Sequence, residues 1–224
     1  MHQFASHIRQ VCREGFQRNR IPAFVLQGFA GCLLALYFLV EPVQVAFQQI
    51  GKLKAETDPW FAIVTTACFA GVIPWAVQAS RGRFATGTKT KHLLFLTIYW
   101  AVQGFAVDTL YQWQEGVFGS GRDVETLLIK VVIDQLPFNL LWGTPNSTVW
   151  YGWRDAGFSW NQFRIENPLP RLVNRYVTIQ ISVWIVWVPA VIMIYTLPID
   201  LQIPLFNLVI CFFSLLLATV SQKG

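Results

Sequence analysis

Apolar residues run along this chain in six blocks, at 22–40, 59–78, 92–112, 126 to about 144, 176–197 and 201–220. Each comes close to the about 20 residues that a helix needs to cross a hydrocarbon core roughly 30 Å thick. In lipid such isolated blocks can satisfy their backbone only as helices. The pattern therefore predicts an all-α polytopic membrane helix bundle with six transmembrane helices. The first five blocks are separated by polar connections. The last two meet at "TLPIDLQIP", short enough for a tight helical hairpin. Ahead of the blocks, Phe4, Ile8, Val11, Cys12 and Phe16 fall on one helical stripe with Arg9 and Arg13 off it. Residues 1–21 thus read as a basic amphipathic helix lying on the membrane surface. An Arg-rich amphipathic targeting segment has the same appearance, whereas the short apolar core of a secretory signal is absent.

Composition strengthens the membrane reading. Only 13% of residues are charged, against about 25% in a soluble domain, and 54% are hydrophobic, with ten Trp and eighteen Phe. The distribution of basic residues then orients the bundle, because cytoplasmic loops hold the excess Lys and Arg. With six spans and both termini inside, the inner segments carry Arg9, Arg13, Arg18, Arg20, Arg81, Arg83, Lys89, Lys91, Arg154, Arg164, Arg171, Arg175 and Lys223. The outer loops carry only Lys52, Lys54 and Arg122. A net charge of +5 is accounted for by basic loops facing anionic headgroups of the bilayer, without nucleic acid. Cys32, Cys68 and Cys211 fall inside spans and Cys12 in the inner arm, so no disulfide is expected.

Small residues at helical spacing, Gly28, Gly31 and Ala35 in the first block and Ala67 and Gly71 in the second, mark places where helices could approach closely. Prolines interrupt four spans at Pro74, Pro137, Pro189 and Pro204. Each withholds a backbone donor and leaves a carbonyl that must find another partner. The long connection 152–175 carries two prolines and many aromatics, which suits packing at headgroup level.

The fourth block, "IKVVIDQLPFNLLW", holds the candidate chemistry. A charge at mid-span costs about 2.5–3.5 kcal/mol on insertion scales, so Asp134 is expected to face protein, with Lys130 either paired to it at i,i+4 or reaching for the interface. Pro137 frees the carbonyl of Ile133 in the middle of this cluster, and Gln135 and Asn139 lie about 100° around the helix. Two readings stay open. In one the kinked span lines a narrow hydrated path for small solutes; in the other the same groups only fix helix packing in a non-conducting scaffold. No enzyme is expected. Asp108 and Asp134 lack an intramembrane protease context, and no Gly-x-Ser-x-Gly turn occurs. His2, His7 and His92 lack metal-ligand spacing, and no cofactor is implied.

Several of these residues resemble the signatures of the twenty-two-kilodalton peroxisomal membrane protein family, which includes the Mpv-type mitochondrial inner-membrane proteins. "KVVIDQ" places Lys130, Asp134 and Gln135 on its K-x-x-x-D-Q pattern. "ENPLPRLVNRYVTIQ" resembles the approach to its W-x-x-x-Q motif, with Tyr176 at the Trp position and Gln180 at the Gln, and Val188 and Pro189 match its Val-Pro. "DPWFAIVTTACFAGVIPWAVQ" begins with Pro59 and ends with Gln78, as the family's first core span does, while Trp113 falls near its aromatic site. Pro74 stands where the family has Asp, Trp184 or Ile185 replaces an Asn-Phe pair, and Gln180 is one residue out of register with Val188. The resemblance covers residues 59–224, leaving 22–58 as an extra first span with its outer loop. It implies a small pore-forming or solute-handling protein of the mitochondrial inner or peroxisomal membrane, or of the cytoplasmic membrane in a bacterium, and leaves room for a homo-oligomer. Lys130, Asp134, Gln135, Pro137, Asn139, Gln78 and Gln180 are the candidate polar path or packing cluster.

Overall fold

The computed structural model describes residues 2–85 and 87–220, with side chains from residue 20 to residue 216. Every regular element among the described residues is helical: α1 (His2–Leu39), α2 (Glu41–Thr57), α3 (Trp60–Thr66), α4 (Ile73–Ser80), α5 (Lys89–Phe118), α6 (Val124–Ile133), α7 (Thr144–Asp155), α8 (Trp160–Glu166), α9 (Leu169–Tyr195) and α10 (Ile199–Val220). Two π-helical stretches, Ala67–Val72 and Asp134–Gly143, join α3 to α4 and α6 to α7. The N-terminal segment is the first part of α1, which runs from His2 to Leu39 without a break. Its predicted amphipathic stripe falls on side chains outside the described residues.

Five stretches are long and apolar enough to cross a membrane: Arg20–Leu39, Trp60–Ser80, Lys89–Phe118, Leu169–Tyr195 and Ile199–Leu216. This is the make-up of a multi-pass membrane protein. The predicted fourth crossing is absent from the five, because Lys130, Asp134, Gln135 and Asn139 dilute its apolar content. Burial on α5 runs opposite to that of a water-soluble helix. Its exposed stripe is Leu94, Ile98, Val102, Phe105, Trp113 and Val117, whereas its buried face includes Gln103, Asp108 and Gln114. Water would favour the reverse arrangement, while hydrocarbon requires ionisable groups to turn inward.

The chain forms two compact units, Val25–Lys130 with Ala190–Gly224, and Met1–Phe24 with Val131–Pro189. In the first, α10 is the central helix, packed against α2, α3, α4 and α5. Its Leu201, Ile203, Leu205, Phe206, Val209 and Ile210 are buried. Two glycines let α5 meet the second span at backbone distance. A Cβ on Gly71 would lie 2.9 Å from the Leu96 carbonyl oxygen, and one on Gly104 would lie 2.5 Å from that of Ala62. Asn207 of α10 ties down the same span, donating to Thr65 Oγ1 and accepting from Thr66 Oγ1, each at 2.8 Å. The expected contact stripe in the first span is corrected here: Cβ atoms on Gly28 and Gly31 would meet nothing within 4 Å. The buried face of α1 carries Leu26, Ala30 and Tyr37 instead, and Phe29 stacks on Phe212.

The outer loop expected before the second span is the helix α2, with Glu41 and Pro42 in its first turn and Lys54 in its last. Its close approach to α10 uses Gly51, whose Cβ would sit 3.1 Å from the Leu201 side chain. A connection of three residues, Thr196 to Pro198, turns α9 into α10, so the tight hairpin is present. Before α6, Asp123 accepts from the backbone N–H and hydroxyl of Thr126, at 3.0 and 2.8 Å. These hydrogen bonds hold its carboxyl below the usual carboxylate range.

In the second unit, α7, α8 and α9 are separated where glycine and proline lie. Gly157 and Phe158 take positive φ after α7, Ser159 accepts from the Gln162 N–H to start α8, and Pro168 precedes α9. Trp150, Trp153, Phe158, Trp160 and Phe163 pack together, Trp153 stacking on Trp160 at 5.5 Å between centroids. Asp155 joins this corner to α9 by accepting from Arg175 at 2.8 Å.

Candidate functional site

The predicted cluster divides between the two units. Asp134, Gln135, Pro137, Asn139 and Gln180 belong to one, Lys130 and Gln78 to the other. Pro137 shapes the first group. Without an N–H it cannot close the ladder on Ile133, and the helix from Asp134 to Gly143 shifts to i→i+5 pairing; the Thr144 N–H reaches back to Asn139. Such π segments recur at functional sites. Here Asp134 and Gln135 are buried, and the carboxylate accepts from Gln135 Nε2 at 2.6 Å and from Asn139 Nδ2 at 3.4 Å.

Aromatic donors from α9 serve the altered ladder. Trp184 Nε1 donates to the Gln135 carbonyl at 3.0 Å, and the Tyr176 hydroxyl donates to the Leu140 carbonyl at 2.9 Å. The residue five beyond Leu140 is Pro145, which has no N–H to offer. Both α9 donors stand at positions that the family resemblance singled out, Tyr176 for Trp and Trp184 as a departure. Gln180, also on α9, is buried, and neither atom of its amide finds a partner among the described residues.

Lys130 does not depend on Asp134. Its ammonium donates to Glu115 Oε2 and to the Gly119 carbonyl, both at 2.7 Å. Lys preceding an acid is the weaker order for an i,i+4 pair, and the C-terminal end of α5 supplies a carboxylate together with the negative end of a helix dipole. Gln114 Nε2 reinforces the corner by donating to the Lys130 carbonyl at 3.3 Å. Gln78 lies at the other end of α5, half-buried, donating to Pro74 of its own helix.

A second ionic group was not singled out from the sequence. Lys54 of α2 is fully buried and sits between Asp58 and Asp108, 3.0 Å from the latter. Gln112 Nε2 reaches Asp58 at 3.5 Å. Asp58, Asp108, Thr109, Gln112, Trp113 and Asp200 line an open cavity of about 630 Å³ beside this lysine. A signal was present. Asp108 and Glu115 are seven residues apart and therefore share a face of α5, and Lys54 stands one turn before Asp58. Their burial was not readable, because α2 looked like a loop.

Taken together, α5 carries on its buried face an ion pair to α2 and another to α6. Lys54 lies beside the cavity of about 630 Å³, and the arrangement can hold charge among helices whose outer faces are apolar. Among the described residues, no group of three His, Cys, Asp or Glu side chains is arranged to hold a metal ion. No family model, curated protein or solved structure matches the chain.

Proposed function

We propose that this protein makes a membrane permeable to small polar solutes, with the inner face of α5 as the wall of the path and the Asp58, Asp108 and Asp200 cavity as its outer mouth. One observation carries the reading: a fully buried lysine of α2 is held between two aspartates beside a cavity of about 630 Å³, against α5, whose exposed stripe is apolar. A purely structural helix contact does not need an open acidic cavity. In this reading α5, about 45 Å long at 1.5 Å per residue, exceeds the hydrocarbon thickness, and Asp108, Gln112 and Glu115 occupy its last turns near the outer headgroups. The stretch from α6 through α7 is then a sixth crossing, with both termini on the side of the basic loops, where anionic lipid is the partner. The K-x-x-x-D-Q resemblance to the peroxisomal and Mpv-type membrane proteins supports the same reading, and with it an organellar or bacterial inner membrane.

A non-conducting scaffold is the second reading. The satisfied carboxylate of Asp134, held by its own neighbours Gln135 and Asn139, favours it for that cluster. Reconstitution into liposomes separates the two. Solute flux above that of empty vesicles, changed at least several-fold by Asp108→Asn in protein that remains folded, is expected of the permeability protein. Flux no greater than that of empty vesicles, for ions and for small neutral and acidic solutes alike, removes that reading and leaves the scaffold.

A further inference from the structure

A smaller cavity, of about 150 Å³, lies between the C-terminal end of α5, the turn at 120–122, α6 and the start of α10. Lys130 and Arg122 line it with positive charge, Glu115 with negative, and Gln202 and Tyr195 complete its polar wall. Lys130 is almost fully buried, and an ammonium has three donors, of which Glu115 and Gly119 take two. Gln202 is only 2% exposed; its Nε2 donates to the Leu197 carbonyl at 3.1 Å, while its Oε1 has no donor. A buried amide oxygen left without a hydrogen bond is uncommon in a native interior. Pro198 and Ile199 at the start of α10 also line it, where the helix dipole favours an anion, while Asp200 of the same turn lines the larger cavity.

From this geometry we infer that the cavity binds a small zwitterionic amino acid. The carboxylate is met by Lys130, Arg122 and the start of α10, and the ammonium is met by Glu115 and by the Oε1 of Gln202. Two cations against one anion leave an excess positive charge for the carboxylate, and the unpaired amide oxygen calls for a donor on the same ligand. Neither a simple carboxylate nor a simple amine supplies both. Size narrows the class further. A protein cavity of about 150 Å³ admits benzene, a six-atom ligand, so glycine and alanine fit and leucine or phenylalanine do not.

The site goes beyond the permeability reading and does not need flux to exist. Its test is equilibrium binding to the full-length protein in detergent micelles, by calorimetry and by thermal shift, with glycine, L-alanine, acetate, methylamine and L-phenylalanine as probes. Saturable binding of glycine and alanine is expected, with acetate, methylamine and phenylalanine at least tenfold weaker. Arg122→Ala, an exposed rim substitution that leaves the fold intact, is expected to weaken glycine about tenfold, and Gln202→Met to weaken it by a similar factor. Absence of saturable glycine binding overturns the inference, as does acetate binding equal to glycine, or an Arg122→Ala protein that binds glycine as tightly as the parent. Binding without flux in liposomes keeps this site and removes only the permeability proposal.

Discussion

Lys54 illustrates how one side chain acquires its meaning from its surroundings. In the sequence it is one of three basic residues expected in the outer loops; in the fold it is fully buried between Asp58 and Asp108. Removing one partner of a buried pair strands the other charge, at a cost of about 3–5 kcal/mol, whereas replacing both with apolar groups is often neutral. Lys54→Met strands both aspartates and should lower stability in detergent by about that amount, whereas Asp108→Asn leaves the lysine with Asp58 and should cost less, and the two changes combined should cost less than the sum of their separate losses. Thermal or denaturant unfolding of the two single variants and the double variant measures this. Additive losses would show that the two residues are not coupled.

At the scale of elements, glycine and proline decide where helices touch and where their ladders change. Gly104 faces the Ala62 carbonyl and Thr66 at distances that admit no Cβ. Gly104→Ala should force α5 away from the second span at a cost of about 1–3 kcal/mol, as overpacking does, while Gly28→Ala, in open space, should be neutral or slightly stabilising through its greater helix propensity. Comparing their unfolding midpoints tests this directly. The Asp134–Gly143 segment obeys the same logic from the opposite direction, because its carbonyls need donors from outside the segment. Tyr176→Phe leaves the Leu140 carbonyl without its hydroxyl donor. The expected loss is about 1 kcal/mol, the usual net worth of one hydrogen bond, because the Leu140 carbonyl is only partly buried, with faster amide exchange confined to residues near 140; exchange unchanged there would show that this bond holds nothing. Proline positions were legible in the sequence. That Pro137 would give ten residues of π-helix, with aromatic donors from α9, was not.

For the whole molecule, the open quantity is the number of crossings. Five apolar stretches satisfy the requirement of length and composition, and the stretch from α6 through α7 is the candidate for a sixth. Single cysteines in the 81–89 connection and the 119–123 turn lie on opposite sides of α5, so a membrane-impermeant thiol reagent should label one in intact vesicles and the other only after permeabilisation. Cysteines near 119–123 and at Asn161 should likewise differ if α6–α7 crosses, and label together if it does not. The excess of Arg and Lys in the segments expected inside predicts that the 81–89 and 161 positions share a side.

That the chain is helical with several membrane-length apolar stretches was determined by the sequence alone, because hydrocarbon admits few alternatives for a run of about 20 apolar residues, and the hairpin at 196–198 and the break before α9 followed from short spacing and from proline. Partnerships among charges were a matter for the tertiary structure. Lys130 has Asp134 one turn away in sequence and Glu115 fifteen residues back; only the close passage of the end of α5 against α6 brings Glu115 and the Gly119 carbonyl to its ammonium. Likewise, Lys54 and Asp108 are distant in the chain and meet because α2 is a helix. Periodicity tells which face a residue occupies, but which other face lies opposite depends on how separate helices pack.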